Sequence, residues 1–274
     1  MTESNSIKQP AQKDVGRPNP IIQLANISKA FGSNQVLNNV SLEIERGHTT
    51  VIIGPSGTGK SVLLKHIVGV IRPDQGKVWF DGRRIDHQSE ADLVTVRTKI
   101  GFLFQMGALF DSLTIGQNIR FPLTEHTSMS ASQQNQRCNA VLEMVGLAGI
   151  ENKMPADLSG GQRKRVALAR AIVLEPQVVL YDEPTTGLDP IRADVINELI
   201  ISLSERLGIT SIVVTHDMAS TNKIADRIVM LYDGRIVADG NLDTFTHCDN
   251  DLVQRFIKGQ AEQSDLERIR VVSQ

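Results

Sequence analysis

GPSGTGKS, residues Gly54 to Ser61, follows the apolar run Thr50–Ile53 and opens a helical pattern that continues to about Ile71. The stretch fits G-x-x-x-x-G-K-[ST] between a strand and a helix, the context that gives the pattern its meaning. Gly54, Gly57 and Gly59 free the backbone to turn its N–H groups inward, with Pro55, Ser56 and Thr58 completing the loop. The helix that follows aims its positive end at the same point, so phosphate is the expected ligand. Lys60 is placed to reach the β- and γ-phosphates of a nucleotide, and the Ser61 hydroxyl to ligate Mg²⁺.

Outward from this loop, strands alternate with helices, which predicts a mostly parallel sheet covered by helices. Strands are expected at Ile21–Ile27, Val36–Ile44, Val178–Tyr181 and Ile209–Val214, and a helix at Ala193–Leu207, stopped by Gly208. VWFDGRRI and VMLYDGRIV each set Asp-Gly between β-rich flanks and predict two hairpins. Residues 88 to 157, richer in Gln, Ser, Asn and Met, read as mostly helical.

Composition removes several classes. The chain has 274 residues, 29 basic against 31 acidic, for a net charge of −2, without the basic excess of a general nucleic-acid binder. No stretch approaches the roughly 18–20 apolar residues of a membrane span. Residues 1–19 lack the apolar centre of a secretory signal and read as a flexible leader. Cys138 and Cys248, the two cysteines, have no metal-type spacing and read as reduced thiols.

Two further segments carry chemistry. VVLYDEP, Val178 to Pro184, reads as a buried strand that delivers two carboxylates to the nucleotide. Asp182 would hold Mg²⁺ through water or through Ser61. Glu183 would act as general base on the attacking water. LSGGQRKRVALARAI, Leu158 to Ile172, begins a helix with Ser159, Gly160, Gly161 and Gln162, a second anion-binding device in one chain. Arg163, Lys164 and Arg165 read by default as a solvated charged face.

GPSGTGKS, LSGGQ and LYDEPTTGLD, in this order, resemble the ATP-binding subunits of ABC transporters over residues 20–244. The resemblance implies an α/β fold: a P-loop NTPase core of the ABC ATPase type, with a mostly parallel sheet, an antiparallel β subdomain and a helical subdomain at about 88–157. It implies two chains sandwiching ATP and Mg²⁺, so that Ser159, Gly160, Gly161, Gln162 and Asp189 act in trans on nucleotide held by the other chain's loop. It further implies that Phe31 stacks on adenine, that Gln105 touches Mg²⁺, and that His216, in VVTHD, contacts the γ-phosphate. Glu183, His216 and Lys60 are thus the expected catalytic set. Ser61, Gln105 and Asp182 are the expected metal set. One position departs from the family: Val62 stands where members usually carry Ser or Thr, which removes a hydroxyl contact to the α-phosphate worth ~0.5–1.5 kcal/mol.

No heptad region separates the first two motifs, which sets aside coiled-coil repair ATPases. Residues 245–274, expected to form a C-terminal extension, are too few for the ~50 residues of an added regulatory domain. Within the extension, Asn250–Lys258 predicts a short helix that either docks on its own subunit or belongs to a tail, Cys248 to Gln274, that reaches the neighbouring ATPase or a small accessory protein. MGALFDSLTIGQNIRFPL, Met106 to Leu123, and LVQRFIKGQAE, Leu252 to Glu262, resemble the ATPases of bacterial MCE-associated lipid transporters, the Mla phospholipid system among them. Met106, Leu109, Phe110 and Leu113 offer apolar surface for a partner helix. The resemblance implies an integral permease of the MlaE kind, an MCE-domain protein like MlaD, a small STAS-domain protein like MlaB, a phospholipid cargo and no nucleic acid. It places the ATPase on the cytoplasmic face of a bacterial inner membrane, as a peripheral homodimer. Another ABC importer or exporter ATPase, and a soluble non-transport ABC switch, remain as alternative expectations.

Overall fold

The computed structural model describes residues 20–260. The expected leader 1–19, and the tail beyond residue 260, lie outside the described residues. In chain order the elements are β1 (Ile22–Phe31), β2 (Asn34–Ile44), β3 (Thr49–Ile53), α1 (Lys60–Ile67), β4 (Gln75–Phe80), β5 (Arg83–Arg84), α2 (Glu90–Arg97), β6 (Ile100–Leu103), α3 (Ile115–His126) and α4 (Ala131–Met144). Next come α5 (Gly160–Ile172), β7 (Val178–Asp182), α6 (Pro190–Leu207), β8 (Thr210–Val214), α7 (Met218–Ile224), β9 (Arg227–Tyr232), β10 (Arg235–Gly240), α8 (Leu242–Thr246) and α9 (Asp251–Ile257).

Two sheets form. The larger has the order β10-β9-β3-β8-β7-β6, parallel from β9 to β6 with β10 antiparallel at one edge. The smaller is antiparallel, in the order β2-β1-β4-β5. The parallel strands are apolar on both faces because each face has its own core. In β7, Val179 and Tyr181 point to one core while Val178 and Leu180 point to the other. In β9, Ile228 and Met230 divide from Val229 and Leu231 in the same way. The first core gathers α3, α4, α5 and α6. The second packs α1, through Leu63, Leu64 and Ile67, against the antiparallel sheet.

Both Asp-Gly hairpins form. Asp81 and Gly82 have φ of 51° and 73°, and Asp233 and Gly234 have 46° and 69°, the paired positive φ of a type I′ turn.

Residues 88–157 are not wholly a helical subdomain. Ile100–Leu103 forms β6, the edge strand of the parallel sheet, and α2 buries Leu93 and Val96 in the second core. IGFL is too short, and interrupted by a glycine, to show as a strand within a polar interval. The helical lobe proper is α3 and α4 packed on α5. Among the described residues no helix is long and apolar enough to cross a membrane.

The extension helix α9 is capped by Asn250 and buries Val253 completely. Leu252, Phe256 and Ile257 pack against the first core of their own chain. The short helix therefore takes the own-subunit alternative up to Ile257; the tail beyond residue 260, expected to reach a neighbour, lies outside the described residues. A helix of this length needs such a surface to form at all.

Candidate active site

Parallel strands end together at the carboxyl edge of their sheet, where α/β folds place their ligands. The Gly54–Ser61 loop follows β3, Gln105 follows β6, Asp182 and Glu183 close β7, and His216 follows β8.

The loop is built to leave donors free. α1 starts at Gly59, whose φ of 98° is a left-handed conformation, and no side chain caps the helix. A side chain at Gly59 would also sit 2.8 Å from the Val36 carbonyl oxygen. The first N–H groups of α1 therefore face the loop unclaimed by any cap, which suits an anion. The Lys60 ammonium is 6% exposed and donates to the carbonyl oxygens of Gly54 and Pro55, both at 2.8 Å. Burial lowers its pKa, while the Glu183 and Asp182 carboxylates pull it back up.

Ser61 Oγ donates to Asp182 Oδ1 at 3.0 Å. Burial raises the Asp182 pKa, with the Glu183 charge adding to it, against the Ser61 hydrogen bond and Lys60. A hydroxyl and a desolvated carboxylate side by side are the hard oxygen donors Mg²⁺ takes, and a cation there would relieve the burial cost. The pair fits the metal. Gln105 is exposed and, among the described residues, makes no hydrogen bond to this pair.

Glu183 has φ of 51° and donates its N–H to the Val214 carbonyl oxygen at 2.9 Å. Its carboxylate lies 3.0 Å from His216 Nδ1 and accepts from the Thr186 hydroxyl at 3.0 Å. If Nδ1 carries the proton given to Glu183, neutral His216 has an Nε2 that only accepts; only the imidazolium donates from both nitrogens. A phosphate contact by His216 therefore requires either its protonation or release of Glu183.

Of the residues expected to act in trans, Ser159 and Asp189 are exposed, Gly160 and Gln162 half-buried and Gly161 buried. Ser159 caps α5, accepting from the Gln162 N–H at 3.3 Å, while Gln162 Oε1 accepts from the Ser159 N–H at 3.0 Å. The Ser159 hydroxyl proton stays available to donate. Asp189 caps α6 through the Arg192 N–H and also pairs with the Arg192 guanidinium at 3.2 Å. Phe31 ends β1 half-exposed, with Lys29 Nζ 5.5 Å from its ring centre. The single chain brings Lys60, Ser61, Asp182, Glu183 and His216 together. Ser159 and Asp189 join the hydrogen bonds of none of them.

Val62 packs against the second core, which gives the departing residue a packing role. The charged run Arg163–Arg165 is not the solvated face expected of it. Arg163 is exposed, but Lys164 is buried, and Arg165 donates to the carbonyl oxygens of Val145 and Gly146. Helical spacing carried the signal, since Lys164 shares a stripe with Gly161, Leu168 and Ile172, all buried. Thr186 was missed because nothing local marks it as a partner of Glu183.

A second surface lies beside the sheet edge. Phe104, Phe110 and Phe121 are each more than 40% exposed around a groove of about 550 Å³, bounded also by Phe102, Pro122 and Arg170. Met106, between Phe104 and Ala108 of the groove's lining in the chain, is 87% exposed. Leu109 packs inward instead.

The profile of the family described as ABC transporter matches residues 37–186. The chain is 41% identical over 242 residues to the intermembrane phospholipid transport system ATP-binding protein MlaF of Escherichia coli K12, covering 88% of this chain and 90% of that protein. It is 40% identical over 239 residues to the probable ribonucleotide transport ATP-binding protein mkl of Mycobacterium leprae, covering 87% and 69%. Its fold matches the dimeric post-hydrolysis structure of the ATP-binding cassette MJ0796 bound to ADP and Pi, with a TM-score of 0.75 and 35% identity over 81% of this chain and 98% of that one.

Proposed function

Because this chain belongs to the ABC transporter family of ATP-hydrolysing subunits, we propose that it works as a homodimer that energises phospholipid transport across a bacterial envelope. The observation that carries the reading is the set of strand ends: an uncapped phosphate-binding helix, the Ser61–Asp182 pair at 3.0 Å, and Glu183 held between His216 and Thr186.

The nucleotide's phosphates lie over the α1 N-terminus, with Lys60 exchanging its carbonyl partners for the β- and γ-phosphates. Phe31 supplies a face for adenine. Ser61 and Asp182, with Gln105 by family likeness, would hold Mg²⁺, which would supply neutralisation of phosphate charge. Glu183 takes a proton as water attacks the γ-phosphorus and the bond to the ADP oxygen breaks. His216 and Thr186 keep the carboxylate aimed. Ser159, Gly160, Gly161, Gln162 and Asp189 of the second chain complete the site. Two anion-binding helix starts that stand apart in one chain favour this arrangement.

Arg in place of Ser159 would put a bulky cation at a helix start that presents a small hydroxyl. Ser159→Arg is expected to retain nucleotide on Lys60's loop while hydrolysis falls by about 10²–10³, the cost of one lost transition-state donor. ATP titration and steady-state turnover check the two halves separately. Wild-type turnover would remove Ser159 from the site.

The groove around Phe104, Phe110 and Phe121 suits an apolar helix of an integral permease and supports the reading of a subunit at the cytoplasmic face of the inner membrane. By likeness to MlaF, an MCE-domain protein and a small STAS-domain protein complete the complex. The likeness to mkl favours a second reading, a ribonucleotide cargo. Affinity purification from solubilised membranes, with mass spectrometry of proteins and small molecules, separates them. A permease with bound phospholipid supports the first reading. A permease with ribonucleotide supports the second, and no membrane protein at all contradicts both.

A further inference from the structure

Lys164 is the one member of the charged run that the proposed chemistry does not use and the fold nonetheless buries, at 7% exposure. Its ammonium donates to three backbone carbonyls: Glu183 at 3.2 Å, Pro184 at 2.7 Å and Thr186 at 2.7 Å. All three belong to the turn that carries Glu183 and its hydroxyl partner Thr186. An ammonium has three protons, and each finds an acceptor on this turn.

The turn needs holding. Glu183 is a non-glycine residue in the left-handed region, a conformation that persists only where its surroundings enforce it. Three charge-assisted hydrogen bonds gather the carbonyls that this conformation brings to one side. Lys164 sits on α5, about 7.5 Å along the axis from Ser159. The same helix thus presents Ser159 at its exposed start and grips Glu183's turn one and a half turns further on. Burial lowers the ammonium's pKa to about 8, with the Glu183 charge opposing the shift.

We propose that Lys164 is a positioning residue that fixes the backbone of Glu183 in its own chain, so that the helix completing the neighbour's site also sets the geometry of the general base at home. This rests on the reading of Glu183 as the base and of Ser159 as acting in trans. In single-turnover assays Lys164→Met is expected to slow hydrolysis about 10- to 100-fold with ATP affinity changed by less than about threefold, as a misplaced base affects the chemical step rather than binding. Lys164→Gln, which keeps amide donors, is expected to lose less. Glu183→Gln serves as the control in the same assay.

Mixed dimers locate the defect. Paired with a Ser159→Arg chain, Lys164→Met leaves one site with neither lesion, so hydrolysis at that site recovers, which also shows that the variant chain folds. Paired with a Lys60→Ala chain, it leaves no intact site and nothing recovers. Recovery with Lys60→Ala, recovery with neither partner, or a wild-type rate in the Lys164→Met homodimer would each overturn the proposal. Normal turnover by Glu183→Gln would instead strike the reading of the base on which it rests.

Discussion

Glu183→Gln is expected to bind ATP normally and hydrolyse it about 10²–10⁴-fold more slowly, the contribution of a positioned general base. The amide keeps the shape of the carboxylate but cannot take a proton from water. Its surroundings accommodate the change. The Thr186 hydroxyl rotates and His216 switches tautomer, so each can face either end of the amide. The backbone anchor to Val214 and the three bonds from Lys164 do not involve the side chain at all. Binding and dimer closure are therefore retained while the chemical step is lost, and ATP accumulates in a closed dimer. Size measurement by light scattering with ATP and Mg²⁺, beside a turnover assay, reads both consequences. A variant that stays monomeric with ATP and turns over at the normal rate would contradict both the base and the sandwich.

Lys60→Ala is expected to fail earlier. The ammonium bonds the Gly54 and Pro55 carbonyls, both at 2.8 Å, and so ties the first two residues of the loop to the start of α1. No other side chain in Gly54–Ser61 carries a positive charge. Removing it takes away a hydrogen bond to a charged group, worth ~1.5–3 kcal/mol, and leaves the Gly54 carbonyl without its lysine, while Pro55 keeps the Thr58 hydroxyl. ATP affinity should fall about 10- to 100-fold, and the residual hydrolysis about 10²–10³-fold further, because the same charge stabilises the transferring phosphoryl group. Fluorescent nucleotide titration followed by single-turnover hydrolysis separates the two losses. Undiminished activity would remove this loop from the site.

The features legible in the sequence were those written locally. GPSGTGKS carries its own strand, turn and helix. The Asp-Gly pairs at 81–82 and 233–234 encode their hairpins because few other residues adopt both positive φ values. The apolar run at β7 reads as a buried strand, and two separate cores cover its faces. What lay hidden is non-local. β6 is four residues long and gains its place only by pairing with β7. The Glu183–His216 contact joins two strand ends 33 residues apart. Lys164 looks like surface charge until its acceptors, 19 to 22 residues away, fold onto it. Val253 is buried in the first core, so the short helix docks on its own subunit, the choice its apolar face alone left open.

The composite site is tested most directly by mixing Lys60→Ala with Ser159→Arg chains and following a single turnover of ATP. Each parent homodimer carries a lesion in both of its sites and is expected to be inactive. In the mixed dimer one site collects both lesions and the other has neither, because the loop of one chain meets the Ser159 of the other. Hydrolysis of ATP at the one intact site per mixed dimer is the predicted result. A mixture as inactive as its parents, with mixed dimers shown to have formed, would contradict a site shared between two chains.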